Sequence, residues 1–549
     1  MTTLETSLYV ACVAPVLAIV VSALFKEPFA HRWSMLLLAL TGIAGAATGA
    51  YGAIAEEPLT QTISMFYGMT VAIDRFSAIF FIGMSLAIAV AGMYGAYRGS
   101  DAHHRGSTIA AAVFIIGAQW VLLSGNIIGF LAAWAVMMLA VFFMSSTLRV
   151  FAIAQTSVIS LAAGFFLLSS GALFSDFGTL AYLTAQATPL FLAIGYGLLL
   201  CGFVAALGAF PFIRWSHRMF AQLPPHLSAL VRAVLSAAAF YGFIRCVLFI
   251  LPPLSIYFAI PIIAIGVLTM LIGAYRSMNV MNVSSYASHV SMQSIGLTML
   301  MMGGAMTFQA LMQYDAMNVI LFATFIQLTM SILATSGLFL AADIGAHTKK
   351  SAIATLILLC CAIGLPPFAT FTSLWMLASG FSSALALSTP ITIVIIVTLA
   401  ITIILSLISA FRFCIFALLP SFSSTTTDAA TPRCSDEQFA PIAILAFFCV
   451  ISGFALPQLL LAVGADPLTD AAGTFNGGIV TSLGTLRMGI IGVAVAGVVA
   501  ILWYFRAAWI DQLPSFASIE AQRTRVIDRC NCGNRCRKLF DRIREKFHR

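Results

Sequence analysis

Charge is what this sequence has least of: Asp, Glu, Lys and Arg make up 8% of its 549 residues, where a soluble domain carries about a quarter. With 61% hydrophobic residues and a mean hydropathy of +1.03, a soluble or disordered chain is excluded. The fold class is an all-α polytopic membrane protein. The start lacks a basic n-region and a small-residue cleavage site, and a lone acid, Glu5, precedes the first apolar run. That run is read as a retained helix rather than a signal peptide. Catalytic signatures are missing too: there is no HExxH, no Walker loop, no GxGxxG after a strand and no Ser/His/Asp set in plausible register. No enzyme activity is expected of this chain. The eleven cysteines offer no paired CxxC. Cys12, Cys201, Cys360 and Cys361 lie inside apolar runs, where a thiol acts as a small apolar group. The one cluster, Cys530, Cys532 and Cys536 with His548 beyond, falls short of a zinc site. No metal or cofactor is expected in the chain itself.

What is abundant is apolar length. About fifteen stretches approach the roughly 20 residues that a spanning helix needs, near 7–25, 33–53, 75–97, 107–124, 126–147, 150–174, 188–210, 227–250, 255–275, 287–304, 309–341, 351–379, 390–414, 441–463 and 484–505. Ala55 to Ile73 is mixed polar and β-prone, which predicts an extramembrane hairpin. The organisation expected is N-terminal spans and hairpin over 1–70, a core over 71–415, a Ser/Thr/Pro-rich linker over 416–440, two trailing spans over 441–505 and a basic tail over 506–549. The net charge of +8 belongs to the tail, since 521–549 holds ten Lys/Arg against three acids, a local +7. By the positive-inside rule such a run places the C-terminus in the cytoplasm of a cell with an inner membrane, and an odd number of spans places the N-terminus outside. The tail suits anionic lipid or a partner's surface; nucleic acid is not an expected partner.

The richest stretch is Cys201 to Arg245. An apolar run is broken at Pro211, a cationic amphipathic segment follows with Arg214, His217 and Arg218, and Pro224 and Pro225 open a second apolar run that carries Arg232. A similar layout recurs at Gly364 to Phe368, around Pro366 and Pro367. Two interrupted helices in corresponding positions of two halves point to an inverted-repeat transporter. Broken backbone and ionisable groups survive at membrane depth only where protein or water surrounds them.

From about residue 70 to 415 the motifs, in order, resemble those of the proton-conducting membrane family of complex I antiporter-like subunits, large Mrp antiporter subunits and membrane hydrogenase subunits. The likeness is strongest to the DabB subunit of inorganic-carbon pumps. IDRFSAIF at 73–80 looks like its Asp-Gly-Leu-Ser segment, and YGAYRGSD at 94–101 its Tyr-Ser-x-x-Tyr-Met-x-x-Asp. GNIIGFLAAWAVMM at 125–138 is similar to the run ending in Trp-Glu, and 210–245 to the Pro-Phe-His-x-Trp-Leu-Pro and Pro-Thr-Pro-Val-Ser-Ala-Leu-Leu-His block. Asn282 to Gly296 resembles the Asp-Leu-Lys and Tyr-Ser-Thr-Val-Ser-Gln-Leu-Gly block, and GLPPFATFTSLW at 364–375 Gly-x-Pro-Pro-x-x-Gly-Phe-x-Ser-Lys. The resemblance implies an antiporter-like inverted repeat with two broken helices.

The departures carry as much. The family's glutamate falls on Ala135, its lysines on Ala206, Ser284 and Leu374, and its His and Lys four apart on Tyr314 and Asn318. A buried lysine shifted toward neutrality is a usable proton relay; Ala, Ser, Asn and Leu take up no proton, so the lysine relay is absent. The ion-pathway candidates that remain are Asp315, His289, Arg232, Tyr314, Asn318 and Asp74. Asp315 is expected at mid-membrane in an interrupted run, paired with Arg232 or His289, because a lone charge there is costly. His289 is the expected proton carrier, its ordinary pKa being near neutrality. Arg75, Arg98, Arg276, Asp343, Lys349, Lys350 and Arg412, and in the alternative reading Asp74 as well, are interfacial anchors at helix ends.

The function the resemblance implies is a membrane subunit of an inorganic-carbon uptake complex. It passes cations, read as protons, to drive a soluble zinc-containing DabA-like partner that hydrates CO2 to bicarbonate. The alternatives are a divergent complex I, hydrogenase or Mrp subunit and, from another class, a structural anchor whose ion path is lost. Because the spans precede the tail, deletion of 521–549 is expected to leave the protein membrane-inserted. Co-purification with a partner should fall if the tail docks it, read by pull-down at low and moderate salt.

Overall fold

With almost no charge to solvate, the backbone of this chain satisfies its own N–H and C=O groups, and in an apolar medium helices do that locally. The computed structural model describes residues 3–414 and 438–453, apart from 55–58, 64–68, 99–104, 146, 174, 252–254, 281, 345–348 and 384–389. In order come α1 (Thr3–Leu24), α2 (Phe29–Ile54), β1 (Leu59–Ile63), β2 (Met69–Ile73), α3 (Arg75–Arg98), α4 (Arg105–Leu123), α5 (Ile127–Ser145), α6 (Leu148–Leu168) and α7 (Phe177–Gln186). Then follow α8 (Pro189–Leu207), α9 (Ile213–Gln222), α10 (Pro225–Ile244) with a π-helical turn at Arg245–Ile250, α11 (Ile256–Ser277) and α12 (Val283–Ala310). The series continues with α13 (Tyr314–Ile344), α14 (Lys349–Ile363), α15 (Ala369–Ser383) and α16 (Pro390–Phe413), and closes with α17 (Gln438–Gly453). Residues 1–492 form one compact unit. The second unit, 493–549, which holds most of the last expected span's neighbourhood, the basic tail and its cysteine cluster, lies outside the described residues, as does the linker through 437.

The protein is a nearly all-helical polytopic membrane protein. Among the described residues, ten helices are long and apolar enough to cross a membrane, against about fifteen apolar stretches in the sequence. The difference has physical causes. The stretch 351–379 is two half-length helices, α14 and α15, separated at Gly364–Phe368. Helix α12 carries His289, Gln293 and a run of hydroxyls; it is nearly all buried, so it meets other helices and needs no lipid-soluble face. The hairpin forms, with Leu59 opposite Ile73 and Ile63 opposite Met69.

Burial sorts the helices into centre and rim. The best window of α10 is 100% buried and that of α13 89%, whereas α1 is 28% and α6 33% buried. Tyr9, Val13, Val16, Leu17 and Val20 of α1 are exposed apolar side chains, as expected of a lipid-facing helix. Because lipid tails are as apolar as Leu, helices here associate by close packing of small residues. Gly42, Gly45, Gly49 and Gly52 line the face of α2 that meets α3. At the α11–α12 crossing, a Cβ on Gly266 would sit 2.8 Å from the Leu300 nitrogen, and one on Gly296 would run into the Met270 backbone.

Both expected helix breaks are present. Helix α8 stops at Leu207, Gly208 takes φ +66°, Pro211 lies in the gap, and α9 starts at Ile213. Pro224 caps α10 and Pro225 is its first residue, where a missing N–H costs nothing. In the second half α14 stops at Ile363 and Gly364 takes φ +85°. Pro366 and Pro367 follow, and α15 starts at Ala369. The run 309–341 is interrupted, at 311–313: α12 runs to Ala310 and α13 begins at Tyr314, and the correction is that Tyr314, Asp315 and Asn318 sit in the opening turns of a helix and not at mid-span. Gly296→Val is expected to lower stability by about 2 kcal/mol or more, since backbone contact leaves no room to repack. Denaturant titration in detergent, with Gly106→Ala in open space as the control, measures it.

Candidate functional site

Helix α9 is the hinge of the first break. It is strongly amphipathic: Ile213, Trp215, Ser216, Met219 and Phe220 are buried, while Arg214 and Arg218 are exposed. Trp215 anchors it by donating its indole N–H to the Ala205 carbonyl at 2.9 Å, which meets a carbonyl near the end of α8. The same helix points His217 at the start of α12, where its ring stacks on His289 with centroids 4.3 Å apart and an interplanar angle of 23°. His217 Nδ1 lies 3.0 Å from Ser288 Oγ. His289 is 5% exposed, and its Nδ1 is buried with no hydrogen-bond partner among the described residues. Two cationic rings at this separation repel, so a doubly protonated pair is disfavoured. His217 lies outside the spans; burial, with the Arg276 charge adding to it, holds its imidazole below the ordinary 6.5.

One turn along α12 from His289 is Gln293, which donates its amide N–H to Ser406 Oγ of α16 at 2.6 Å. Residues four apart share a helix face, so the histidine pair and this amide lie on one line. Gln293 and Ser406 line a cavity with Ser294, Gln327, Leu374 and Thr402, closed by Ile363 and Gly364 at the second break. The space open to the centre of a water-sized sphere is about 10 Å³, room for one water. Across it, Ser373 Oγ of α15 donates to Gln327 Oε1 of α13 at 2.6 Å. Leu374, where the resemblance supplies a lysine, is a wall of this cavity.

Arg232 of α10 is 7% exposed and donates to the Ser291 carbonyl at 2.7 Å. It therefore lies beside the same stretch of α12. The pairing of Asp315 with Arg232 or His289 is corrected by helix geometry. Asp315 is in the first turn of α13, and about 30 Å of α12 separates His289 from the end of that helix beside it, at 1.5 Å per residue. The Asp315 side chain lies outside the described ones. Near it, Tyr314 is 39% exposed with its hydroxyl on Met312 S. Asn318 is buried with no partner for Oδ1 among the described residues.

Asp74 is likewise remote from the histidines. It caps α3 through the Ser77 N–H at 2.8 Å, with Ser77 Oγ returning to the Asp74 N–H and C=O, and it pairs with Arg245 at 2.7 Å. Arg245 in turn lies over the rings of Phe177 and Tyr241, and about 20 Å of α10 separates it from Arg232. Burial raises the Asp74 carboxyl, but Arg245 and the Ser77 donors outweigh it and hold the group below the usual carboxylate range. At the other end of α3, Arg98 Nε pairs with Asp343 at 2.7 Å and the Tyr94 hydroxyl donates to it at 3.0 Å. Two of the helix-end charges read as anchors are thus clamped to each other.

The structure therefore gathers His289 of α12 and Arg232 of α10 at one stretch of α12 and leaves Asp74, Tyr314, Asp315 and Asn318 elsewhere. Sequence reasoning missed His217 as the partner of His289, although it stands in the cationic segment after Pro211. It also missed Gln293, Gln327, Thr402 and Ser406, because Ser, Thr and Gln scattered through apolar runs give no pattern until helices are packed. The depressed pKa of His217 has a definite sign: the unfolded chain binds the proton more tightly, so this contribution is full above pH ~6.5 and is lost as pH falls below it. Thermal unfolding followed from pH 8 to 5 is expected to show a fall in midpoint that is shallower in His217→Ala.

Comparison with known proteins agrees with this architecture. Residues 124–405 match the family model described as NADH:quinone oxidoreductase/Mrp antiporter, TM. An uncharacterized protein of Mycobacterium tuberculosis is 24% identical over 392 residues, covering 64% of this chain and 60% of that protein; the chain thus spans about three fifths of the curated relative's length. Among solved structures, a chain of the membrane-bound sulfane sulfur reductase, an archaeal respiratory membrane complex, superposes with a TM-score of 0.71 at 13% identity, covering 86% of this chain and 98% of that one. A chain of the Mrp complex from Dietzia sp. DQ12-45-1b gives 0.68 at 18% identity, covering 97% and 60%. At such identities the likeness is one of fold, and it is the family model, covering more than half the sequence, that assigns the chain. The protein belongs to the NADH:quinone oxidoreductase/Mrp antiporter transmembrane family.

Proposed function

We propose that this protein is a proton-translocating subunit of a multi-subunit membrane complex. The observation that carries this reading is the polar band on α12. It runs from His217 and His289 at the first break, through Gln293 and Ser406, to Gln327 and Ser373 at the second. Imidazole titrates near physiological pH, so the histidines take the titrating role that lysines hold in the resemblance. Hydroxyls, amides and one water then pass a proton by exchanging hydrogen bonds. Arg232 sets a positive barrier beside the band and keeps a second proton out. Asp315 and Asn318, at the opposite end of α13, are proposed as the far mouth of the path.

Charge at the helix ends supports an orientation. Arg98, Arg105, Arg276, Lys350 and Arg412 end or open helices on the face that holds the histidine pair, whereas Arg75 and Arg245 mark the opposite one. The positive-inside rule reads the first face as cytoplasmic. The start of α1 is then outside and the basic tail cytoplasmic, in a cell inner membrane. A narrower reading is supported by the replaced family residues, Ala135 and Leu374 among them. In it the complex takes up inorganic carbon, with protons running down through this chain to drive a soluble zinc-containing DabA-like partner that forms bicarbonate. Members of the complex I, hydrogenase and Mrp groups as the resemblance describes them keep those charges.

Reconstituted vesicles carrying a pH dye test the path. His289→Ala and His217→Ala are expected to cut proton flux about 100-fold, the scale of a lost acid–base group, and Asp315→Asn to cut it less, while complex assembly persists. Unchanged flux in both histidine variants would leave the structural anchor as the better reading. For the narrower reading, inorganic-carbon accumulation by cells making the complex should stop when a protonophore collapses the gradient.

A further inference from the structure

The C-terminal ends of α11 and α16 are pinned together at one rim of the bundle. Ser277 Oγ and Ser409 Oγ are buried and lie 2.7 Å apart, and the Tyr286 hydroxyl lies 3.2 Å from Ser409 Oγ. Tyr286 in turn stacks on Phe413 with ring centroids 4.2 Å apart, so the first turn of α12 holds the end of α16 in place. Arg276 immediately precedes Ser277. Arg412 is three residues past Ser409, on the same face of α16 and about 5 Å further along its axis. Two arginines therefore leave one rigid base, and both are exposed. Among the described residues neither has a carboxylate partner; Asp74 and Asp343 are held by Arg245 and Arg98. The dipole of a helix C-terminus favours one cation at its end, which accounts for either arginine alone. Two like charges brought together repel, and an anion between them relieves that repulsion.

The surface toward the middle of the bilayer from these arginines is apolar. Tyr275 is 62% exposed and Phe411 60%. Ile408, itself exposed, lies one turn before Arg412, and the half-buried Ile272 one turn before Arg276. Charge at a helix end that continues into exposed aromatic and aliphatic side chains matches an amphiphile, with an acidic head on the guanidiniums and chains along the helices. An acidic protein surface would match the charge but not the apolar ridges that run on into lipid. We propose that the rim between α11 and α16 is a binding site for an anionic phospholipid, with its phosphate held between Arg276 and Arg412 and its chains on Ile272, Tyr275, Ile408 and Phe411. Arginine suits this role because its planar fork pairs with phosphate bidentately. The site stands at the histidine end of the polar band, since Arg276 is the charge that bears on His217. Its occupancy requires no ion flux.

Native mass spectrometry of the full chain, released from a neutral detergent, counts retained lipid as phosphatidylglycerol or phosphatidylcholine of the same acyl chains is titrated in. The parent is expected to retain phosphatidylglycerol at concentrations where phosphatidylcholine is lost. Arg276→Gln and Arg412→Gln are each expected to raise the half-saturating phosphatidylglycerol concentration roughly tenfold, the scale of one lost charged hydrogen bond. Arg276→Lys, which keeps the charge and loses the fork, is expected to fall between parent and Arg276→Gln. Arg218→Gln removes an exposed arginine of α9 and is expected to bind like the parent. The basic tail is common to all variants, so differences among them report the helix ends, and equal thermal midpoints without lipid show that they are folded. Equal retention of both lipids by the parent, or equal phosphatidylglycerol binding by the parent, Arg276→Gln and Arg412→Gln, overturns the proposal. A loss in Arg218→Gln as large as in the other two overturns it in favour of diffuse attraction. Ligand binding to the folded state raises the midpoint by mass action. Inorganic phosphate that raises the parent's midpoint as much as phosphatidylglycerol at equal concentration, and does so less in Arg276→Gln, overturns it in favour of a free anion. Unchanged lipid binding in Arg276→Gln and Arg412→Gln, with an acidic subunit lost from the purified complex, assigns the rim to a protein instead.

Discussion

A helix interrupted in an apolar medium must have its freed carbonyls and amides met by protein or water, and everything distinctive in this molecule follows from that constraint. Gly208 and Gly364 end α8 and α14 in the left-handed conformation, and the loose ends find partners close by. Trp215 takes the Ala205 carbonyl, and Thr370 takes that of Cys361 at 2.6 Å. The polar groups needed to finish a broken helix are thereby concentrated where an ion would cross. In the proposed function the polar band runs between the two breaks, and the side chains that close them, Trp215 and Thr370, stand beside it.

The band also shows how a span can be polar without being charged. A lysine in the core needs a counter-charge or a shifted pKa, whereas Gln, Ser and Thr satisfy one another at modest cost. Gln293 with Ser406 and Gln327 with Ser373 are such pairs, each at 2.6 Å. What this arrangement gives up is titration, and the two stacked histidines lie at one end of it. Arg232 donates to one backbone carbonyl among the described residues, that of Ser291, and an ionised side chain buried with so little around it is a costly feature.

The remaining ion pairs have a different task. Asp74 with Arg245 and Asp343 with Arg98 join α3 to α10 and α13 at opposite ends. They fix the centre of the bundle from both faces without entering the apolar middle. Charge is placed there, where water can share its solvation, and among the described residues two carboxylates, Asp74 and Asp343, serve as such clamps.

Composition by itself determined the membrane class, and the apolar runs determined most helix positions, because spanning length and hydropathy are local properties. The proline pairs and Gly364 marked both breaks for the same reason: a missing N–H and a left-handed residue act where they stand. Motif order pointed to the family. Partnership was not legible. Asp315 looked like a mid-span acid because an apolar run does not reveal where one helix stops and the next begins, and three residues at 311–313 put it at a helix start instead. His217 and His289 stand 72 positions apart in the chain and meet only because α9 folds back across the start of α12. Ser294, Thr402 and Ser406 line a common cavity only once α12, α16 and the end of α14 are packed, since which face a hydroxyl shares is decided between helices and not within them.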